Sequence, residues 1–216
     1  MTILSLCDYS GNWPKPYADN GHSVTLVDPK HPTGLHVGND GITRFGGTVD
    51  DWSAISTEPF DIILAAPPCT HFASSGARWF TQKDADGRTD EAVQMIRGII
   101  AYVKRTKPSV FALENPVGRL AALVPEVGKW RLIFDPCDYA GHANEPQKEA
   151  YTKRTCLWGW YNNDLPMSRV EPIYYHKGGK RGSWMWANLG GKSERTKELR
   201  SMTPQGFARA FYMANH

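Results

Sequence analysis

Short apolar, β-rich runs that each stop at a polar turn, separated by helix-patterned stretches, most constrain how this chain folds. Residues 3–6 lead into Asp8-Tyr9-Ser10-Gly11, and residues 23–27 end at Asp28-Pro29. Residues 61–66 stop at Pro67-Pro68-Cys69, and residues 110–113 stop at Glu114-Asn115-Pro116. Runs without polar alternation read as parallel strands covered on both faces. Residues 42–45 and 155–158 offer further strands, and residues up to Asn20-Gly21 a short helix. The clearest helix is expected at about 90–107. There Ala92, Val93, Met95, Ile96, Ile99, Ile100 and Val103 keep a 3.6-residue period, Thr89 serves as cap and Pro108 as stop. A last helix is expected from Thr203-Pro204, with Thr as cap and Pro in its first turn. The alternation predicts an α/β fold, a doubly wound and mostly parallel sheet, with ligands beyond the carboxyl ends of its strands.

At 216 residues this is one α/β domain in size, with room for a small extra lobe. Hydrophobic residues make up 41% and charged residues 22%, which excludes a mostly disordered chain. No apolar run approaches the ~20 residues of a membrane span. The first residues lack a basic leader and reach an acid at Asp8, so the expectation is no signal peptide and a cytoplasmic protein. Net charge is only +3 but unevenly spread. Residues 156–202 carry eight Lys/Arg against four Asp/Glu, whereas residues 1–155 are slightly acidic. A polyanion is therefore expected against the later segment. Cys7, Cys69, Cys137 and Cys156 have no paired spacing, and the histidines have none either. A zinc site and a disulfide scaffold are both excluded, and no metal is expected.

In a parallel sheet the turns after successive strands share one edge. Cys69 and Glu114 are thereby brought together although far apart in sequence. A lone cysteine is most often an inert core residue. Two prolines ahead of Cys69 forbid the strand to continue and stiffen the presentation of its thiol. A glutamate directly after four apolar residues is more than a surface group.

These residues carry a resemblance. Ala66-Pro67-Pro68-Cys69 followed by Glu114-Asn115-Pro116 resembles the cytosine-C5 DNA methyltransferase family, in particular its small phage and prophage branch. Similar stretches are Pro67–Phe72, Ser75–Trp79, Glu114–Arg119, Thr152–Trp158 and the tail 203–210. In order, they cover most of the chain. The resemblance implies a Rossmann-like sheet of the class I methyltransferase type, and Cys69 as the nucleophile that adds to C6 of cytosine. Glu114 is implied as the proton-bearing group at N3, and Arg154 as the cation beside them, with Arg78 in reserve. The implied methyl donor is S-adenosylmethionine, held by Asp8, Ser10, Gly11, Trp13, Asp28, Asp50 or Asp51, and Pro67. Pro68, Arg78, Asn115, Pro116, Lys177, Lys180 and Arg181 are the candidate substrate contacts. The first turn departs from the family by keeping one glycine. Nor does the chain have room for a full target-recognition domain.

The expected organisation is a catalytic core at 1–155, a small basic and aromatic substrate lobe at 156–202, and a C-terminal helix at 203–216 returning to the core. In that lobe Trp158, Trp160, Tyr161, Tyr174, Tyr175, Trp184 and Trp186 interleave with the basic residues, a pattern suited to base stacking and phosphate contact. The leading expectation is methylation of C5 of a cytosine in DNA, taken flipped out or single-stranded. One alternative is one-carbon chemistry at C5 of a free pyrimidine nucleotide. Another is a catalytically idle nucleic-acid-binding relative.

Overall fold

A computed structural model of the chain describes residues 1–183, Ala187 and residues 193–216. Its centre is an eight-stranded sheet built from β1 (Thr2–Leu6), β2 (Ser23–Val27), β3 (Gly34–Val37), β4 (Thr43–Gly46), β5 (Ile62–Ala65), β6 (Val110–Pro116), β7 (Leu132–Phe134) and β8 (Thr155–Trp160). The order is β3-β4-β2-β1-β5-β6-β8-β7. β4, β2, β1, β5 and β6 run parallel, while β8 is antiparallel to both β6 and β7. The chain moves outward from β1 to β2 and β4, then returns to β5 on the other side. The reversal opens a crevice at the carboxyl ends of β1 and β5. This is a doubly wound, Rossmann-like and mostly parallel sheet, with β3 added antiparallel at one edge.

Strand alternation sends neighbouring apolar residues into opposite layers. Leu4, Leu6, Val27 and Ile63 pack under α2 (Val49–Ile55) and α4 (Arg88–Thr106), against Trp52, Ile96, Ile99 and Val103. Ile3, Leu26, Ile62 and Leu64 pack the other way, under α1 (Lys15–Asp19) and the last helix, against Trp13, Tyr17, Phe207 and Phe211. Shorter helices are α3 (Phe80–Ala85), α5 (Leu120–Leu123) and α6 (Pro146–Glu149), and the chain ends with α7 (Glu194–Ser201) and α8 (Gln205–Ala214).

Three expectations need correction. α4 begins at Arg88, after Gly87 at φ +78°, so Thr89 lies buried inside its first turn rather than capping it. α8 starts at Gln205, because Pro204 is extended. The capping acceptor is not Thr203 but the Glu149 carboxylate, which takes the N–H groups of Gln205 and Gly206. The boundary at 156 falls inside the core, since β8 is an interior strand and Trp158 and Tyr161 are core residues. Backbone bonds from Ser168, Val170 and Ile173 keep the chain on the core after that. What stands apart among the described residues is the hairpin β9 (Tyr174–Lys177) and β10 (Lys180–Ser183). Its two-residue turn, Gly178-Gly179, has φ of 56° and 73°, which glycine adopts without strain. Trp184, Trp186 and Lys192, and the side chains of Lys177, Lys180 and Arg181, lie outside the described residues. No helix among the described residues is long and apolar enough to cross a membrane.

Candidate active site

β5 ends at Ala65, and two prolines carry the chain into a single 3-10 turn, Cys69–His71. Alongside, β6 continues through Glu114 and Asn115 to Pro116. The two segments are stitched together. The buried Asn115 side chain donates from Nδ2 to the Pro67 carbonyl at 2.9 Å. Ser74 N–H donates to Val117 O at 3.0 Å, and Arg119 N–H to Phe72 O at 2.9 Å. A Cβ on Gly118 would lie 1.9 Å from Phe72 O, so only glycine permits this approach. Cys69 and Glu114 therefore share the sheet edge at which a crevice opens.

Burial pushes the Glu114 carboxyl above its ordinary range, against the opposing charge of Lys153. Burial likewise raises the Cys69 thiol. Lys153 opposes that rise, Glu114 adds to it, and Arg200 opposes it. Burial is also the largest effect on Cys7, pushed up to about 12, and on Cys137 and Cys156, each up to about 11. All four thiols are free. Cys69 is the partly exposed thiol that lies in the field of Lys153.

Lys153, then, is the cation turned toward the pair. Lys153, two residues before β8, lines the small cavity at Glu114 together with Thr155. Arg154 is exposed, and its charge bears instead on Asp135 and Cys156. The resemblance implies Arg154 beside the thiol; of the two neighbours, Lys153 is the one whose charge reaches it. The cavity against Glu114 holds about 10 Å³ and is lined on another side by Met202, Thr203 and Pro204. That is room for about one water molecule.

Asp8 fills the first turn. Its buried carboxylate accepts from Ser5 Oγ at 3.0 Å, Ser10 Oγ at 2.8 Å and Gly11 N–H at 2.8 Å. Gly11 sits at φ +67°. Trp13 is fully buried between Phe207 and Phe211, so it is a core residue and not a cofactor contact. Asp28 ends β2 and accepts the Lys30 N–H at 2.9 Å. Asp50 lies against Gly98 of α4, while Asp51 forms a capping box with Thr48 at the start of α2. Asp51 is thus engaged at a helix end, and Asp50 lies exposed beside α4. Pro67 is buried, whereas Pro68 and Arg78 are exposed and Pro116 is half-buried. An open cleft of about 680 Å³ adjoins the first turn, walled by Tyr9, Ser10, Lys30, His31, Pro32 and Arg44. His31 is 6% exposed, and its Nε2 has no hydrogen-bond partner. A polar ligand in the cleft is one way to satisfy such a group. No cluster of metal-ligating side chains occurs among the described residues.

Residues 42–123, which hold both Cys69 and Glu114, match the family described as C-5 cytosine-specific DNA methylase. Among solved structures the chain is similar to a protein described as a DNA modification methyltransferase encoded within a prophage (E. coli). The identity is 15%, over 78% of this chain and 49% of that one, with a TM-score of 0.46. The chain thus spans about half the length of that protein. An antibiotic-related methyltransferase matches at 12% identity, 78% and 87% coverage and TM-score 0.39. WbdD, crystallised with a kinase inhibitor, matches at 10%, 83% and 40%, with TM-score 0.39. No curated protein matches the chain.

Proposed function

We propose that this protein is a cytosine-C5 DNA methyltransferase, with Cys69 as covalent nucleophile and S-adenosylmethionine as methyl donor. One observation carries the reading. Cys69 and Glu114 meet at one sheet edge inside the segment that matches the methylase family. C5 of cytosine is a poor nucleophile. Addition of the Cys69 thiolate to C6 makes C5 enamine-like and moves electron density toward N3. Glu114, protonated more readily because it is buried, supplies the proton or hydrogen bond at N3. Lys153 stabilises the thiolate before addition. Once C5 has taken the methyl group, loss of its proton to a base allows the Cys69–C6 bond to break and returns the Cys69 thiolate. Asp28, Ser10 and His31 are the residues suited to hold the donor, which when bound supplies an electrophilic methyl group. The exposed Pro68 and Arg78, with Asn115 and Pro116 behind them, border the base. The target cytosine has to leave its stack to expose the ring face. The Met202–Pro204 segment has to withdraw to admit it, because a pyrimidine does not fit in about 10 Å³.

The hairpin β9–β10 is proposed as the substrate lobe, with Lys177, Lys180 and Arg181 directed to phosphates, and the cytoplasm as the place of action. Its ten residues are few for a DNA reader. That favours, as second reading, C5 chemistry on a free cytosine nucleotide. DNA carrying 5-fluorocytosine tests both at once, because fluorine cannot leave C5 as a proton. Wild-type protein with S-adenosylmethionine is expected to form a denaturation-resistant adduct, and Cys69→Ala none. Trapping by Cys69→Ala would exclude the thiol, and turnover of free dCMP but not DNA would select the second reading.

A further inference from the structure

The segment after the nucleophile is held more tightly than an exposed loop requires. Residues Ser74–Trp79 form a 3-10 helix that runs directly into α3. Arg119, from the turn after Glu114, clamps both. Its Nε donates to His71 O at 2.9 Å, and its two terminal nitrogens each donate to the Asp84 carboxylate at 2.7 Å. The guanidinium also lies over the Phe80 ring, 3.6 Å from its centroid. A bidentate, stacked arginine fixes orientation as well as distance. Ala73 is bridged to Gly118 at the near end.

This rigid segment displays an indole to solvent. Trp79 is 49% exposed, with the Arg78 guanidinium 5.2 Å from its ring centroid. An aromatic of this size left uncovered on a clamped segment is a prepared contact. The charges around it are arranged for a polyanion. Asp84 and Asp86 are neutralised by Arg119 and Arg88. Lys83 borders the same segment and donates to Thr70 O next to Cys69, and its charge interacts with that thiol. Arginine and tryptophan side by side match the two needs of a nucleic-acid strand, a stacking face for a base and a cation for the backbone.

We propose that Trp79, backed by Arg78, stacks on a nucleobase next to the cytosine entering the Cys69–Glu114 site. This rests on the DNA reading given above. The partner is a polynucleotide strand with at least one unstacked base, not a free nucleotide. Stacking on an aromatic side chain tolerates any base, so the contact adds affinity without specifying sequence.

The test uses fluorescein-labelled single-stranded DNA containing one cytosine, titrated with wild-type, Trp79→Ala and Trp79→Phe proteins. Trp79→Ala is expected to weaken binding about tenfold. Trp79→Phe is expected to recover most of the loss, because a ring remains. An oligonucleotide with 2-aminopurine beside the cytosine adds a second readout: its fluorescence is expected to be quenched by wild-type and Trp79→Phe proteins but not by Trp79→Ala. Equal affinities and equal quenching for all three proteins would overturn the stacking contact and leave the DNA reading standing. Failure of wild-type protein to bind any DNA, with dCMP still turned over, would overturn both. Because Trp79 is exposed, unchanged melting temperatures are expected and separate a lost contact from a lost fold.

Discussion

Lys153 donates from Nζ to the carbonyl of Arg200 at 3.1 Å, while its charge offsets the burial of both Glu114 and Cys69. The same ammonium thus ties the end of α7 to the sheet edge and opposes the effect of burial on both groups of the candidate site. Two further contacts pin this part of the chain across the edge. Lys30 pairs with Glu198 at 3.5 Å, and Asn12 Nδ2 donates to Thr203 O at 3.2 Å. Both are exposed or partly so and individually weak.

Replacing Lys153 removes the cation that opposes the raised thiol pKa. Lys153→Gln is expected to slow alkylation of Cys69 by iodoacetamide at pH 8, because less thiolate is present. Arg154→Gln is expected to leave it unchanged, since Arg154 bears on Asp135 and Cys156 instead. Peptide mass spectrometry distinguishes Cys69 from Cys7, Cys137 and Cys156. Equal slowing by both variants would remove Lys153 from its assigned place.

Glu114 offers a pH test with a definite sign. Its folded pKa is raised by burial, so the native state holds a proton that the unfolded state releases at lower pH. The stability tied to that proton is complete below the unfolded value and is lost as pH rises through the folded one. Glu114→Gln has nothing to lose over that window. Its melting temperature minus that of wild type is expected to grow from pH 4 to pH 8. Asp8, also raised by burial, is present in both proteins and cancels. A difference that stays constant or shrinks with pH would contradict the buried environment of this carboxyl.

Much of this arrangement was legible in the sequence, for identifiable reasons. β1, β2, β5 and β6 are buried on both faces, so their apolar runs stand out. β3 gave no signal, because it is an edge strand whose Leu35 and Val37 are 60% and 71% exposed. β7 has three residues, too few to show a period. Trp13 looked like a ligand contact because it follows the first turn, yet nothing in a turn reveals which way an indole will fold. Lys153 gave no signal either, because it lies before β8, where no strand period fixes which way a side chain points. By contrast, Thr48-x-x-Asp51 already reads as a capping box. The Arg119 clamp rests on contacts 35 residues away in sequence, at Asp84, which no local pattern encodes.

Asn115 joins the two turns through one buried hydrogen bond to the Pro67 carbonyl. Asn115→Ala leaves that carbonyl without its partner inside the protein. A loss of about 1–3 kcal/mol in unfolding free energy is expected, read from urea denaturation. Asn115→Asp presents an acceptor to an acceptor and is expected to cost at least as much. A variant as stable as wild type would mean that the turns are held together by other contacts.

Gly118 carries the strictest geometric demand at the site. An added Cβ would meet Phe72 O at 1.9 Å, the Phe72 carbonyl carbon at 2.7 Å and Ala73 Cα at 3.0 Å. All three are backbone atoms, which cannot rotate aside as a side chain does. Gly118→Ala therefore has to push residues 72–73 away from the Glu114 turn. The displacement passes directly to Cys69, whose carbonyl accepts the N–H groups of Phe72 and Ala73. Destabilisation of about 1–3 kcal/mol is expected, as for other overpacked sites. Turnover is expected to fall by about 10²-fold even where the protein stays folded, because a shift near 1 Å misaligns thiol and carboxyl. Gly76→Ala on the same segment is the control. An added Cβ there would meet Thr70 O at 3.6 Å, ordinary contact, so stability and turnover should stay near wild type. Methyl-transfer rates and melting curves for the two variants decide the matter. Should Gly118→Ala melt and turn over like Gly76→Ala, the close approach of the two turns is not what aligns Cys69 with Glu114.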